Sequence, residues 1–210
     1  MESDGTKILH LDNLNLEQSI SKKDILVLQI IHLGLGLGMI IFLALTLFMN
    51  SLDLQEQQMP DTGFLNILTM VHFLFAVIFI PLSGKVFESF FSENWWSKIF
   101  YRQLKPQLTK ITDTGQKLMI ILRTAYILRL AMLEFVAFFG IMVCFLGVIS
   151  GTLAEYPIYW INLFSAAFFL GFIWLNFPTR EKVLDIIRSR FGDYPHGYTI
   201  KWQRHPYKLQ

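Results

Sequence analysis

The sequence predicts an all-α protein: a polytopic membrane four-helix bundle with a cytoplasmic interfacial amphipathic helix. Three observations predict it. Only 16% of the 210 residues are charged, against about 25% in an ordinary soluble domain. Four stretches, 25–49, 64–82, 130–149 and 158–177, reach the roughly 20 mostly apolar residues that a spanning helix needs. All 18 Lys and Arg residues fall in alternate connecting segments.

Residues 1–24 are polar and lack the short apolar core of a signal peptide. No small-residue cleavage site closes the apolar run that follows, so the first span reads as a retained anchor. The N-terminal segment holds Lys7, Lys22 and Lys23. The connection after the first span holds only acidic residues, Asp53, Glu56 and Asp61. The middle segment, from Ser83 to Arg129, is basic again, and the short link 150–157 carries only Glu155. The C-terminal segment, from Arg180 to Lys208, is basic. The positive-inside rule then places both tails and the middle segment in the cytoplasm. A buried soluble helical core would not sort charge in this way. The net charge of +2 is too small to imply a nucleic-acid partner. The single cysteine, Cys144, lies in an apolar run and excludes an intramolecular disulfide.

The third helix is expected to start well before the membrane. Asp113 or Thr114 can cap it, and Gln116 to Leu128 continues at helical spacing. In the segment 84–104, Phe87, Phe90, Phe91, Trp95 and Ile99 recur at near-helical spacing. Two readings fit. One is an amphipathic helix along the inner leaflet with Trp95 and Trp96 at headgroup level. The other is an aromatic extension of the second span beyond Pro81. After the fourth span, Pro178 and Thr179 mark a break. Val183, Ile186, Ile187 and Phe191 then form one face of a juxtamembrane helix that Gly192 can end. Its basic residues suit contact with anionic lipid, and the tail to Gln210 needs a partner surface to be ordered.

An offset of 100 aligns Ile25–Leu45 with Ala125–Phe145, matching Leu28 to Leu128 and Leu33 to Leu133. Either a parallel two-hairpin repeat or chance matching of apolar helices accounts for it. Small residues let helix backbones approach in lipid. Gly34 with Gly38, Ala167 with Gly171, and Gly140 with Gly147 are the candidates. Packing inside the bundle is the preferred role for all of them, over a face for self-association.

Glu134 is the most informative side chain. It lies four residues past Leu130, about 6 Å inside the expected cytoplasmic edge. A carboxyl there is costly, and faces the bundle or a water-filled cavity in most membrane proteins. It is either a proton or cation site, with His32 as a neighbour, or a structural group bonded to an adjacent helix or to Arg129 or Arg123. The run Ala131-Met-Leu-Glu134-Phe-Val-Ala137-Phe-Phe-Gly140 resembles the carboxylate helix of rotary ATP synthase c subunits. The likeness covers about ten residues, and the long middle segment departs from that family. The chain as a whole resembles uncharacterised four-helix inner-membrane proteins of bacteria. Their pattern of an arginine, a glutamate and a Phe-Pro before a basic tail matches Arg129, Glu134, Phe177 and Pro178. This resemblance implies a bacterial inner-membrane location and no activity.

His32 and His72 are the intramembrane histidines. They are either axial ligands of one b-type haem or hydrogen-bonding groups between helices. No phosphate-binding loop, zinc-ligand spacing or nucleophile motif is present, so no metal, no catalytic residue and no cofactor beyond that haem is expected. Three functions follow. The first is a non-catalytic structural or accessory subunit that binds other membrane proteins or lipid, or self-associates. The second is a proton- or cation-translocating component using Glu134, and the third a haem electron carrier using His32 and His72.

The topology makes a direct expectation. Cysteines placed at Ser51 or at an accessible position of the link 150–157 should react with a membrane-impermeant reagent in intact cells, and those at Ser21 or Gln107 should not. The opposite labelling pattern would invert the orientation.

Overall fold

The computed structural model describes residues 20–52, 62–91, 95–111 and 114–191. These form helices α1 (Lys22–Ser51), α2 (Thr62–Ser89), α3 (Trp95–Leu108), α4 (Thr114–Ile149) and α5 (Thr152–Glu155). A 3-10 helix (Pro157–Leu163), α6 (Phe164–Leu175) and α7 (Arg180–Phe191) follow. Four units are long and apolar enough to cross a membrane: α1, α2, α4 from Gly115, and the 3-10 helix joined to α6. The protein is an all-α bundle and a multi-pass membrane protein. The acidic connection 53–61, the Asp113 cap, Gly192 and the tail 193–210 lie outside the described residues, as do residues 1–19 and the side chains of Trp95, Trp96 and Phe191.

Local chemistry sets the helix ends. Ser21 caps α1, its hydroxyl oxygen accepting from the Asp24 amide at 3.1 Å, and Asp24 suits the positive end of the helix dipole. Thr179 starts α7 after Pro178, accepting from the Lys182 amide at 3.3 Å. The turn after α4 needs a left-handed residue, and Gly151 supplies it at φ 70°.

Helix α4 is the centre of the bundle. The other three spans all pack on it, whereas α1 and α2 make hardly any contact with each other. Half of its apolar window is buried, against 17% in α2. The two hairpins therefore pack differently, α1 diverging from α2 while α4 and α6 stay close.

The largest apolar cluster lies at the basic end, where α1 begins and α6 stops. Ile25 and Leu28 of α1, Phe87 and Phe90 at the end of α2, and Leu118 to Tyr126 of α4 meet there. Leu104 and Leu108 of α3, and Val183, Leu184 and Ile187 of α7, close over them. The segment 84–104 is thus two elements. Helix α2 runs through Pro81 to Ser89, and α3 starts at Trp95. Phe87 and Phe90 are buried inside this cap instead of lying on the inner leaflet. Protein removes their apolar surface from water as well as lipid would. Helix α3 is amphipathic, with Leu104 and Leu108 inward and Arg102 and Lys105 exposed. Helix α4 starts at Thr114, as its capping signals imply.

Replacing the fully buried Phe90 by Ala should cost about 3–5 kcal/mol. Thermal unfolding in detergent should show the loss, and proteolysis within α3 and α7 should accelerate while the helical content of the spans persists. Unchanged proteolysis and melting would mean that the cap is held by something other than this core.

Candidate functional site

The described spans contain three polar centres, and they differ in how completely their groups are satisfied.

The first joins α2 to the fourth span. Thr62, Asn66, Thr69 and His72 recur at intervals of four, three and three along α2, so they share one face. Opposite them stand Tyr159, Asn162 and Ser165. A 3-10 helix has three residues per turn, so positions spaced by three align along one edge. His72 Nδ1 lies 2.8 Å from Asn162 Oδ1. An amide oxygen only accepts, so Nδ1 carries the proton. Nε2 then accepts from the Ser165 hydroxyl at 2.8 Å. Asn162 Nδ2 donates to Thr69 Oγ1 at 3.1 Å and to the Tyr159 carbonyl at 2.9 Å. The Tyr159 hydroxyl donates to Asn66 Oδ1 at 2.8 Å. His72, Asn162 and Ser165 are all buried, and both ring nitrogens of His72 are engaged. Gly140 permits the approach. A Cβ there would lie 2.6 Å from Ser165 Oγ and 2.8 Å from His72 Nε2, and would overlap the Asn162 carbonyl.

The second centre is at the basic end. His32 is fully buried, edge-on to Tyr126 at 5.3 Å and to Phe177 at 6.3 Å. Its Nδ1 donates to the Leu28 carbonyl at 2.8 Å, and its Nε2 has no partner among the described residues. Gln29 ties α1 to the link between α6 and α7 by donating to the Pro178 carbonyl at 3.0 Å. Nearby, the Arg129 guanidinium lies 4.5 Å from the Phe172 ring and 5.1 Å from the Phe87 ring. Its Nε is buried without a partner among the described residues.

The third centre is Glu134. It is half-buried and makes no hydrogen bond or ion pair among the described residues. It flanks the outward stripe of α4 formed by Ile127, Ala131, Phe135, Phe138 and Met142. Helices α1 and α2 border this stripe. Phe42 stacks on Phe138 at 4.8 Å, and Phe75 and Phe79 meet Phe135 at 5.4 and 5.5 Å. The stripe is the floor of a groove open to the outside.

Several expectations are corrected. His32 does not meet Glu134. It sits against Tyr126, eight residues earlier on α4 and so about 12 Å away along the axis. His32 and His72 are not brought together either. Their α4 neighbours, Tyr126 and Phe139, are 13 residues apart, about 20 Å, so the two rings cannot face one iron. Of the small residues, Gly140 and Gly147 do pack inside the bundle. Gly34, Gly38 and Gly171 do not, since a Cβ at any of them meets nothing within 4 Å, and Ala167 is exposed. Helical phase turns them outward, while Gly36 between them faces Ile173. Sequence reasoning missed Tyr159, Asn162 and Ser165, although their spacing of three was visible. Among the described residues, no three His, Cys, Asp or Glu side chains cluster as metal ligands. Compared with protein-family profiles, curated proteins and solved structures, the chain matches none.

Gly140→Ala should destabilise the protein by about 1–3 kcal/mol, because overpacking there displaces the polar ladder. Gly34→Ala, on the open face, should be neutral or mildly stabilising. Thermal unfolding of both variants in one detergent checks the contrast, and equal melting temperatures would remove Gly140 from the packing argument.

Proposed function

We propose that this chain is a non-catalytic accessory membrane protein that docks a transmembrane helix of another protein in the groove over α4. The observation that carries this reading is Glu134, an intramembrane carboxyl with no hydrogen bond or ion pair among the described residues. The ladder at His72 satisfies itself and needs nothing from outside. Glu134 calls for a donor, and lipid tails supply none. The occupant this favours is an apolar helix with one Lys, Arg, Asn or Gln at matching depth. Gly38 lies one turn before Phe42 on α1, and Glu134 one turn before Phe138 on α4. The stacking of Phe42 on Phe138 therefore sets an open glycine at about the same depth as the carboxyl, where a helix backbone can approach closely.

In this reading the basic end, with both tails and the α3 cap, faces the cytoplasm. The charge asymmetry supports it, and the pattern of Arg129, Glu134, Phe177 and Pro178 supports a bacterial inner membrane. A second reading, ion translocation through Glu134, rests on the same unpartnered carboxyl and on the likeness of its helix to the c-subunit carboxylate helix.

A synthetic polyleucine helix with one Lys near its cytoplasmic third, and its all-Leu counterpart, separate the two readings. In vesicles, energy transfer should show the Lys helix binding the reconstituted protein several-fold more tightly, the scale of one interhelical polar contact. Glu134→Leu should abolish that preference without lowering the melting temperature, because no intramolecular bond is lost. Equal binding of both helices by the native protein would overturn docking. A proton flux abolished by Glu134→Gln would establish the second reading.

A further inference from the structure

We propose that Arg129 anchors a phospholipid site, its guanidinium binding the phosphate of an anionic lipid seated between α2 and α6 at the basic end. This inference is independent of the groove and of Glu134, which flank the opposite side of α4.

The guanidinium is held between two aromatic rings, Phe87 from α2 and Phe172 from α6. Such stacking fixes the plane of the group and tempers its desolvation. It does not neutralise the charge. No described residue forms a hydrogen bond or ion pair with Arg129, and its Nε is buried without a partner. Tyr126, on the same helix, and Glu88, exposed at the end of α2, lie near enough to act on it through space but form no hydrogen bond or ion pair with it. The residue is half-buried, so its Nη groups are not sealed as Nε is. Two Nη–H groups in one fixed plane match two oxygens of a phosphate.

The surroundings favour a lipid over a soluble anion. Arg129 immediately precedes the apolar stretch of α4 that starts at Leu130, the level at which lipid phosphates lie. The walls of the site are apolar. Phe172 continues along the same face of α6 into Phe168 and Phe164, four residues apart each time, and both are exposed. Their rings lie 6.5 Å apart. This track leads from the guanidinium toward the middle of the span and provides a seat for an acyl chain. Basic positions between transmembrane helices are a recurrent way to hold anionic headgroups.

The test uses the full chain purified in detergent and native mass spectrometry with phosphatidylglycerol, phosphatidylcholine or inorganic phosphate. Phosphatidylglycerol should be retained about tenfold more strongly than phosphatidylcholine, as one charge-assisted contact allows. Arg129→Gln should remove that preference, and Arg129→Lys should weaken it by losing the fork. Arg123→Gln, which removes a basic residue elsewhere on α4, should preserve it. Should Arg129→Gln fail to fold, Phe172→Leu keeps the charge, removes one ring, and should lower the preference several-fold. Equal retention of the two lipids by the native protein overturns the site. So does an undiminished preference in Arg129→Gln, or in Phe172→Leu where that variant takes its place. A loss in Arg123→Gln equal to that in Arg129→Gln reduces the effect to general basicity and also overturns it. Displacement of the lipid by millimolar inorganic phosphate would assign the site to a soluble anion instead.

Discussion

The bundle depends on the hydrogen-bonded node where His72 meets Asn162 and Ser165 above Gly140. In lipid, apolar helices gain nothing by hiding apolar surface from one another, so close packing and polar contacts must hold them together. The node supplies both. A glycine lets the fourth span lie against α4, and that proximity places the Asn162 and Ser165 side chains on His72 of α2. Three helices are fixed by one junction. Lengthwise, the ladder to Tyr159 and Asn66 sets the register of α2 against the fourth span, since a shift of either helix would leave several polar groups without partners in a medium that cannot solvate them.

At the basic end a different force operates. The cap formed by the ends of α1, α2 and α4 with α3 and α7 buries Leu28, Phe90, Leu122 and Val183 almost completely, as a small soluble domain would. There water drives association. The molecule therefore has two cores built on two principles, joined through the long, continuous α4. Arg129 and His32 sit where one principle gives way to the other, and their unpartnered nitrogens belong to that boundary.

The spans were legible because run length and charge sorting are properties of composition along the chain. The early start of α4 was legible because a capping signal precedes an unbroken helical period. The fate of Phe87 and Phe90 was not. A membrane surface and a protein core select the same residue types, so an aromatic stripe does not say which of them will cover it. The facing of Gly34, Gly38 and Gly171 was hidden for a related reason. A small-xxx-small pair marks a helix face suited to close approach, but which neighbour occupies that face depends on the phase of the whole helix. For Glu134, depth was readable from the sequence and direction was not. The polar ladder was written into the sequence at a period of three on one helix of the pair and in steps of four, three and three on the other. Reading it required expecting a 3-10 helix in an apolar span, where long runs of that geometry are uncommon.

That 3-10 segment also bears on the thickness of the membrane the protein fits. A 3-10 helix rises about 2.0 Å per residue and an α-helix about 1.5 Å. The fourth span, Pro157–Leu175, has 19 residues, so its 3-10 start stretches it from about 28 to about 32 Å. The hydrocarbon core of a typical bilayer is about 30 Å thick. The stretched helix therefore just spans it, with far less length to spare for tilt than the longer α1 and α2 have. Of the four spans, it is the one most sensitive to hydrophobic mismatch, and the ladder that locks its tighter winding thereby tunes the protein to a bilayer of ordinary thickness.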